Sequence, residues 1–310
     1  MENTRAKTTR NSLILLLTAT IWGMAFVSQS KGMDYMHPFT FNGVRSLIGA
    51  AGILVYILIS RKIAGDKAAK LDWKLNVKAG LLCGIFLTIA STLQQFGIKY
   101  TSVGKAGFIT TLYIIFVPMF GIFLKKKVAP VVWAAAGMAA VGMYLLCMTE
   151  SLRLGAGDIM VFLCAIAFAI QIMTVDHYAA SIDGAVVSCI QFTVCGVVCC
   201  IGALIWGQPT FGQIQEGLGA LLYAGVLSCG VGYTLQIVGQ KGLNPTVAAL
   251  IMSLESVIAT ISGWIAYKIG FLSTDQTLTP RQIAGCVIVF AAVILVQLPP
   301  EWFCFGKKNA

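Results

Sequence analysis

Apolar positions along this chain come in blocks too long for a soluble core, separated by short polar breaks. Blocks of spanning length fall at 12–30, 38–60, 77–98, 102–124, 128–148, 157–177, 184–206, 217–239, 245–268 and 280–298. A helix rises about 1.5 Å per residue and the bilayer hydrocarbon is about 30 Å thick, so about 20 residues cross it. The pattern predicts an all-α polytopic membrane protein with ten transmembrane helices. Block 12–30 has the look of a signal peptide, but nine further spans follow it and no small-residue cleavage site is evident, so it reads as the first span.

A second pattern overlies the first. Thr92-Leu93-Gln94-Gln95-Phe96-Gly97-Ile98-Lys99 matches Thr234-Leu235-Gln236-Ile237-Val238-Gly239-Gln240-Lys241 at an offset of 142. The same offset pairs Ala106 with Ala248, Ile109 with Ile251, Leu112 with Leu254, Tyr113 with Glu255 and Gly121 with Gly263. Near an offset of 146 a weaker alignment sets Trp22 against Phe168, Pro38 against Gly184 and Arg45 against Gln191. Each half then holds five spans. An odd number turns the second copy upside down, giving two inverted five-helix repeats, an arrangement found in secondary transporters.

Polar residues at depth stand out against this background. Glu255 lies in block 245–268, about 14 Å from Thr246 along the helix and so near the midplane. A charged carboxylate at that depth costs about 2.5–3.5 kcal/mol, so it faces a cavity or a partner; the alternative is an acid that only glues helices together. Arg45 sits behind Asn42 in the second block, placed to pair with Glu255 across the centre or to snorkel outward. Gln94, Gln171, Gln191, Tyr233 and Gln236 each need a partner in hydrocarbon, as glue or as the lining of a wet cavity. The symmetric pairs Arg45/Gln191, Gln94/Gln236 and Tyr113/Glu255 favour one central site at the repeat interface. Pro118 is expected to kink the fourth span and serve as a gate hinge. Trp22 followed by Gly23 puts an indole beside a place where a neighbouring helix can come close. Asp158 reads as a helix N-terminal anion, and Lys99, Lys105 and Lys241 as snorkelling residues at connections.

Composition closes off other classes. Hydrophobic residues make up 58% and charged residues 11% of the 310, with a mean hydropathy of +0.84, which leaves almost no extramembrane mass. The net charge of +10 belongs to short loops beside spans, where it sets topology and meets anionic lipid rather than nucleic acid. Fifteen basic residues fall on the side of the termini (Arg5, Lys7, Arg10, Arg61, Lys62, Lys67, Lys70, Lys74, Lys78, Lys125, Lys126, Lys127, Lys241, Lys307, Lys308). Six lie opposite (Lys31, Lys99, Lys105, Arg153, Lys268, Arg281), which puts both termini in the cytoplasm. The ten cysteines, all but Cys304 inside apolar stretches, read as small hydrophobes. No metal-ligand spacing, phosphate cradle, nucleophile elbow or cofactor motif is present, and no cluster of acids or histidines suggests an enzyme.

The run from Gln94 to Pro118, with Trp22-Gly23, the series Gln171, Asp176, Gln191 and the stretch Pro245 to Glu255, resembles EamA-type transporters of the drug/metabolite transporter superfamily. The resemblance covers nearly the whole chain. It implies a first EamA-type repeat over 1–149 and a second, inverted one over 150–310. Two departures matter. The family often has Leu-Glu-Pro where this chain has Leu254-Glu255-Ser256, so the proline that would kink the ninth span is absent. The Gly-Glu pairs that close spans four and nine in many members are missing too.

These readings combine into a secondary active transporter in the plasma membrane that moves a small organic metabolite, amino-acid-like or drug-like, by alternating access. Its substrate site is expected at Trp22, Arg45, Gln94, Tyr113, Gln171, Gln191, Gln236 and Glu255, with Glu255 binding a proton or a substrate amine. Export coupled to protons or to exchange is the expected mode, with membrane lipid as surroundings and a homodimer left open. The alternative is a receptor or assembly subunit on the same fold, without transport and without a wet cavity.

Overall fold

The computed structural model describes residues 2–65, 71–124, 130–147, 155–273 and 275–297. The expected repeat boundary at 149/150, Lys67, Lys70, Lys125 to Lys127, Arg153, Cys304, Lys307 and Lys308 lie outside the described residues. Among the described residues the chain is helix and turn without a strand.

Helices α1 (Glu2–Gly32) and α2 (Pro38–Ala64) are joined by a turn in which His37 caps α2, its Nδ1 accepting the Phe39 N–H at 3.3 Å. Pro38 supplies a first helical residue that needs no N–H partner. Asp72 caps α3 (Trp73–Ile98) through the Leu75 N–H. The fourth span is two helices, α4 (Val103–Thr111) and α5 (Tyr113–Phe123), and α6 (Pro130–Cys147) follows. The second half opens with α7 (Ala156–Tyr178) and α8 (Gly184–Gly202), which runs into a π-helical turn, Ala203–Gly207. A short α9 (Phe211–Glu216) precedes a span made of α10 (Leu218–Leu222), a π-helical stretch Tyr223–Gly232 and α11 (Tyr233–Gln240). The ninth span is again two helices, α12 (Pro245–Met252) and α13 (Leu254–Lys268), and α14 (Pro280–Gln297) is the last. Among the described residues eight helical spans are long and apolar enough to cross a membrane. The helices α6 and α14, 18 residues each, are about 27 Å long at 1.5 Å per residue and complete the ten.

The two-repeat arrangement extends to details of the backbone. Ser102 caps α4 and Asn244 caps α12, at the same offset of 142. Each of these helices then stops at a hydroxyl residue that donates to the carbonyl three positions back. Thr111 Oγ1 bonds the Phe108 oxygen at 2.8 Å, and Ser253 Oγ bonds the Leu250 oxygen at 2.7 Å. The kink expected at Pro118 is instead an interruption at Leu112, and α5 continues through the buried proline. The ninth span is interrupted at Ser253 without any proline. Ser253 and Ser256 hydroxyls satisfy the carbonyls of Leu250 and Ser253 where the helical ladder lapses. At the place matching Pro118 stands Thr260, whose hydroxyl bonds the Ser256 oxygen at 2.9 Å.

The interrupted spans cross each other, α4 against α13 and α5 against α12. Small residues allow the approach: a Cβ on Gly107 would lie 3.1 Å from the Ala259 Cβ. Helix α1 seats on α13 at Gly23, where a Cβ would lie 2.7 Å from the Glu255 carbonyl oxygen and 2.6 Å from Ile258 Cβ. Around this centre α2 packs on α8, α3 on α7 and α8, and α6 on α14 at the edge. Outward residues such as Leu58 and Ile59 of α2 and Val287 and Phe290 of α14 are exposed and apolar, which suits lipid and would be an aggregating patch in water.

The ends of the bundle are tied by polar contacts. Asn11 Nδ2 donates to the Lys241 carbonyl at 2.8 Å, and the Asp183 N–H donates to Asn76 Oδ1 at 2.9 Å. The first joins α1 to the end of α11, and the second joins the start of α3 to the start of α8. At the opposite end Lys105, expected to snorkel, forms an ion pair of 2.6 Å with Asp158, which also accepts from the Thr101 hydroxyl and the Gly155 N–H. Its ammonium is drawn into a pair between α4 and α7 because Asp158 is buried there.

Two consequences are measurable. Gly23→Ala is expected to destabilise the protein by about 1–3 kcal/mol through overpacking against α13. Gly52→Ala in α2, where a Cβ meets nothing within 4 Å, should be neutral or stabilising; equal melting temperatures for the two variants would refute the close contact. Burial, and after it the Lys99 charge, hold the His37 imidazole below its ordinary pKa of 6.5. The unfolded chain therefore takes up a proton that folded His37 resists, and stability falls as pH drops through about 6.5. His37→Asn keeps a cap acceptor, and should show a shallower fall in melting temperature between about pH 7 and 5.

Candidate functional site

A buried cavity sits where the interrupted spans meet α1, α2, α3, α7 and α11. From α1 come Trp22, Phe26 and Gln29, spaced i, i+4 and i+7 on one helix face. Arg45 and Gln94 face it from α2 and α3, Thr110 and Tyr113 from either side of the first interruption. Phe168, Gln171 and Ile172 of α7 close one wall, and Ser228, Tyr233, Gln236 and Glu255 complete the lining. The space between these side chains is about 30 Å³, room for one or two waters.

Glu255 is 4% exposed and Tyr113 2%. The Tyr113 hydroxyl donates to Glu255 Oε1 at 3.1 Å, a contact between the two repeats at matching positions. Glu255 stands in the first turn of α13, so the interruption at Ser253 puts a helix N-terminus beside the carboxylate. The partial positive charge of that end is offset by the C-terminal end of α12, which stops at the same residue.

The Trp22 indole reaches into the same space, donates to the Ser228 carbonyl at 3.4 Å and lies 4.5 Å from the Tyr233 ring. Gly232 admits it, since a Cβ there would stand 2.6 Å from the indole nitrogen. Gln94 donates to the Thr110 hydroxyl at 3.1 Å, and Gln236 to the Gln171 oxygen at 3.2 Å. The Gln171–Gln236 pair leaves one buried N–H₂ and one buried C=O without a partner among the described residues. Turning both amides over leaves the same surplus. Gln29 Oε1 is a further buried acceptor in the lining without a partner among them.

Arg45 takes neither of the courses expected from the sequence. It is 5% exposed, so it does not snorkel, and among the described residues no carboxylate lies within ion-pair distance of it. Its Nε donates to Asn42 Oδ1 at 2.8 Å, and the guanidinium carbon lies 5.5 Å from the centre of the Phe41 ring. Asn42 is fixed in turn by the Ser91 hydroxyl at 3.1 Å and by contacts to Thr92 and Cys199. Ser46 and Ser91 meet the Cys195 thiol at 3.4 Å. The two cysteines therefore belong to a polar network as well as to the packing.

Seven of the eight expected site residues surround the cavity. Gln191 does not. It is fully buried at the α3–α8 contact, where a Cβ on Gly84 would lie 3.2 Å from its Cα, and neither amide atom has a partner among the described residues. Its neighbour Phe192, about 100° round the helix, points toward Tyr233 with ring centres 5.0 Å apart. Pro118 lies in α5 outside the lining. Gln29, Phe26, Thr110 and Ser228 escape the sequence reading. The spacing from Trp22 holds the signal for Phe26 and Gln29, whereas Ser228 is placed by the π-helical stretch, which no spacing announces.

The EamA-like transporter family matches this chain twice, over residues 10–148 and 155–298. An uncharacterised transporter of Archaeoglobus fulgidus is 28% identical over 290 residues, covering 92% of this chain and 84% of its own length. The uncharacterised transporter YwfM of Bacillus subtilis is 24% identical over 295 residues, covering 94% of each. A solved crystal structure, 16% identical, superposes with a TM-score of 0.71 over 93% of this chain and 96% of its own, a likeness of fold. With two family matches spanning both halves of a ten-span helical bundle, the chain belongs to the EamA-like transporter family.

Proposed function

We propose that this membrane transporter is a secondary active carrier of a small organic metabolite bearing a carboxylate, amino-acid-like in outline. The observation that carries the reading is Arg45, a buried cation on the cavity wall without a carboxylate partner among the described residues. An uncompensated buried charge costs several kcal/mol, and a carboxylate from the solute relieves it with a fork of paired hydrogen bonds. Glu255 serves as the second charged contact, exchanging its Tyr113 hydrogen bond for a proton or a substrate amine. The indole of Trp22 and the rings of Phe26, Phe168 and Tyr233 suit an apolar side chain, while the unpartnered amide atoms of Gln171 and Gln236 supply polar selectivity.

A cavity of about 30 Å³ is far below the roughly 300–1,000 Å³ of small-molecule sites. Its walls must part for such a solute to enter, which accords with rocking of the repeats in alternating access. The bias of basic residues toward the terminus side supports cytoplasmic termini in the plasma membrane. On this reading the carrier exports, driven by protons through Glu255 or by exchange. A receptor or assembly subunit on the same fold has no need of surplus hydrogen-bonding groups around a central space.

Reconstituted into liposomes and offered a panel of amino acids, carboxylic acids and quaternary amines, the protein should move carboxylate-bearing solutes. Arg45→Gln should lower that transport at least about tenfold, the scale of a lost charged hydrogen bond. Glu255→Gln should abolish it while leaving the melting temperature within a few degrees. Normal carboxylate transport by both variants would sink the assignment. A cysteine at Gln236 should react with a hydrophilic thiol reagent above the background of the parent, and one at Gln191 should not. An inert Gln236→Cys would favour the receptor reading.

A further inference from the structure

A second concavity lies on the outer face, lined by α2, the π-helical stretch and α11, which also contribute to the central site. Its apolar part, about 400 Å³, runs between α2 and the π-helical stretch continuing into α11, with Gly49, Gly52 and Ile53 on one side and Val226, Gly230 and Leu235 on the other. A further part of about 320 Å³ continues it toward the bundle end, past Ser60, Arg61 and Asp183. Tyr56, Thr234 and Val238 line both, so the two form one groove. It opens to the outside: Tyr56 is 61% exposed, and a Cβ on Gly52 would meet nothing within 4 Å.

The groove is amphipathic along its length. The Thr234 hydroxyl donates within its own span to the Gly230 carbonyl at 2.7 Å, so the long part is apolar except for the exposed Tyr56 phenol at the end it shares with the second part. The end part carries Arg61, and among the described residues no carboxylate lies within ion-pair distance of it. Asp183 shares that end, but its Oδ1 accepts the Ala185 and Val186 N–H groups as the cap of α8. Lys62 follows Arg61 in the last turn of α2, and at the start of α3 Lys74 stands beside the capping carboxylate of Asp72, so the basic surplus at this end comes from α2. An occupant matching this layout has an extended apolar tail and a compact anionic head at membrane-surface depth.

We propose that the groove binds an anionic phospholipid of the leaflet on the terminus side, one acyl chain along the α2 face and the phosphate against Arg61. The site is separate from the solute cavity but shares its walls. On α2, Arg45 faces the cavity and Gly49 the groove; on the π-helical stretch, Ser228 faces the cavity and Gly230 the groove. A lipid seated there braces two elements that line the central site.

The test uses the full chain in detergent, with binding of dioleoylphosphatidylglycerol and dioleoylphosphatidylcholine followed by native mass spectrometry and thermal shift. The parent should bind the anionic lipid more tightly. Arg61→Gln should weaken phosphatidylglycerol about fivefold, the scale of one basic contact near an anionic surface, and leave phosphatidylcholine unchanged. Gly52→Leu, whose side chain fills open space, should weaken both. Equal affinity of the parent for the two lipids, or parent-like binding by both variants, overturns the proposal. So does a Gly52→Leu protein that holds lipid normally in detergent yet stops moving solute once reconstituted into liposomes, since the groove would then be a lateral path for solute.

Discussion

In hydrocarbon, a backbone carbonyl that leaves its helical ladder has no water to accept it, and the architecture here answers to that constraint. Two spans are interrupted at mid-depth, and each interruption is resolved locally by a hydroxyl. Thr111 and Ser253 turn back onto Phe108 and Leu250, and Ser256 covers Ser253. Both interruptions are kept inside the protein, crossed over each other, with Gly107 and Ala259 thin enough to permit the crossing. The central site follows from this. The lapse at Ser253 creates the helix start beside Glu255, and the lapse at Leu112 puts Tyr113 at the start of α5, within reach of that carboxylate.

The remaining side chains of the site are held from behind. Arg45 is oriented by Asn42, Asn42 by Ser91, and the thiols of Cys195 and Cys199 fill the spaces among these hydroxyls. Such a network fixes the cation without neutralising it, because among the described residues the groups it meets, Asn42 and the Phe41 ring, are neutral. Trp22 is fixed similarly, by a backbone carbonyl, a neighbouring ring and the space at Gly232. Rigid placement of a few polar groups in an apolar shell lowers the ordering cost of binding.

Much of the fold was legible because a membrane span is recognised by length and apolarity alone, with no need of periodicity. The repeat was legible where residues match in register, at Gln94 and Gln236, and the inference from Tyr113 and Glu255 to one central place followed from it. Sequence reasoning failed at two kinds of position. The interruptions rest on Ser and Thr hydroxyls that look like any other small polar residue in a span, while Pro118, the conspicuous helix breaker, sits inside a continuing helix. Gln191 stands out as a polar residue at depth and as the partner of Arg45 at the weaker offset, but a rotation of about 100° per residue is enough to turn it from the cavity onto α3. The π-helical stretch Tyr223–Gly232 depends on its packing with α1 and α2, which no local pattern encodes.

The pairing of Arg45 with the secluded Gln191 breaks the equivalence of the repeats at one charge. In a cycle where the halves exchange conformations, perfect chemical twins would make the inward and outward forms mirror images of equal energy. Here the guanidinium belongs to one twin alone, and the carboxylate of Glu255 to the other, opposite an uncharged phenol. In the rocking cycle we propose, the two facing forms would surround the solute with different fields, and a carrier built on near-symmetry would acquire a preferred resting orientation.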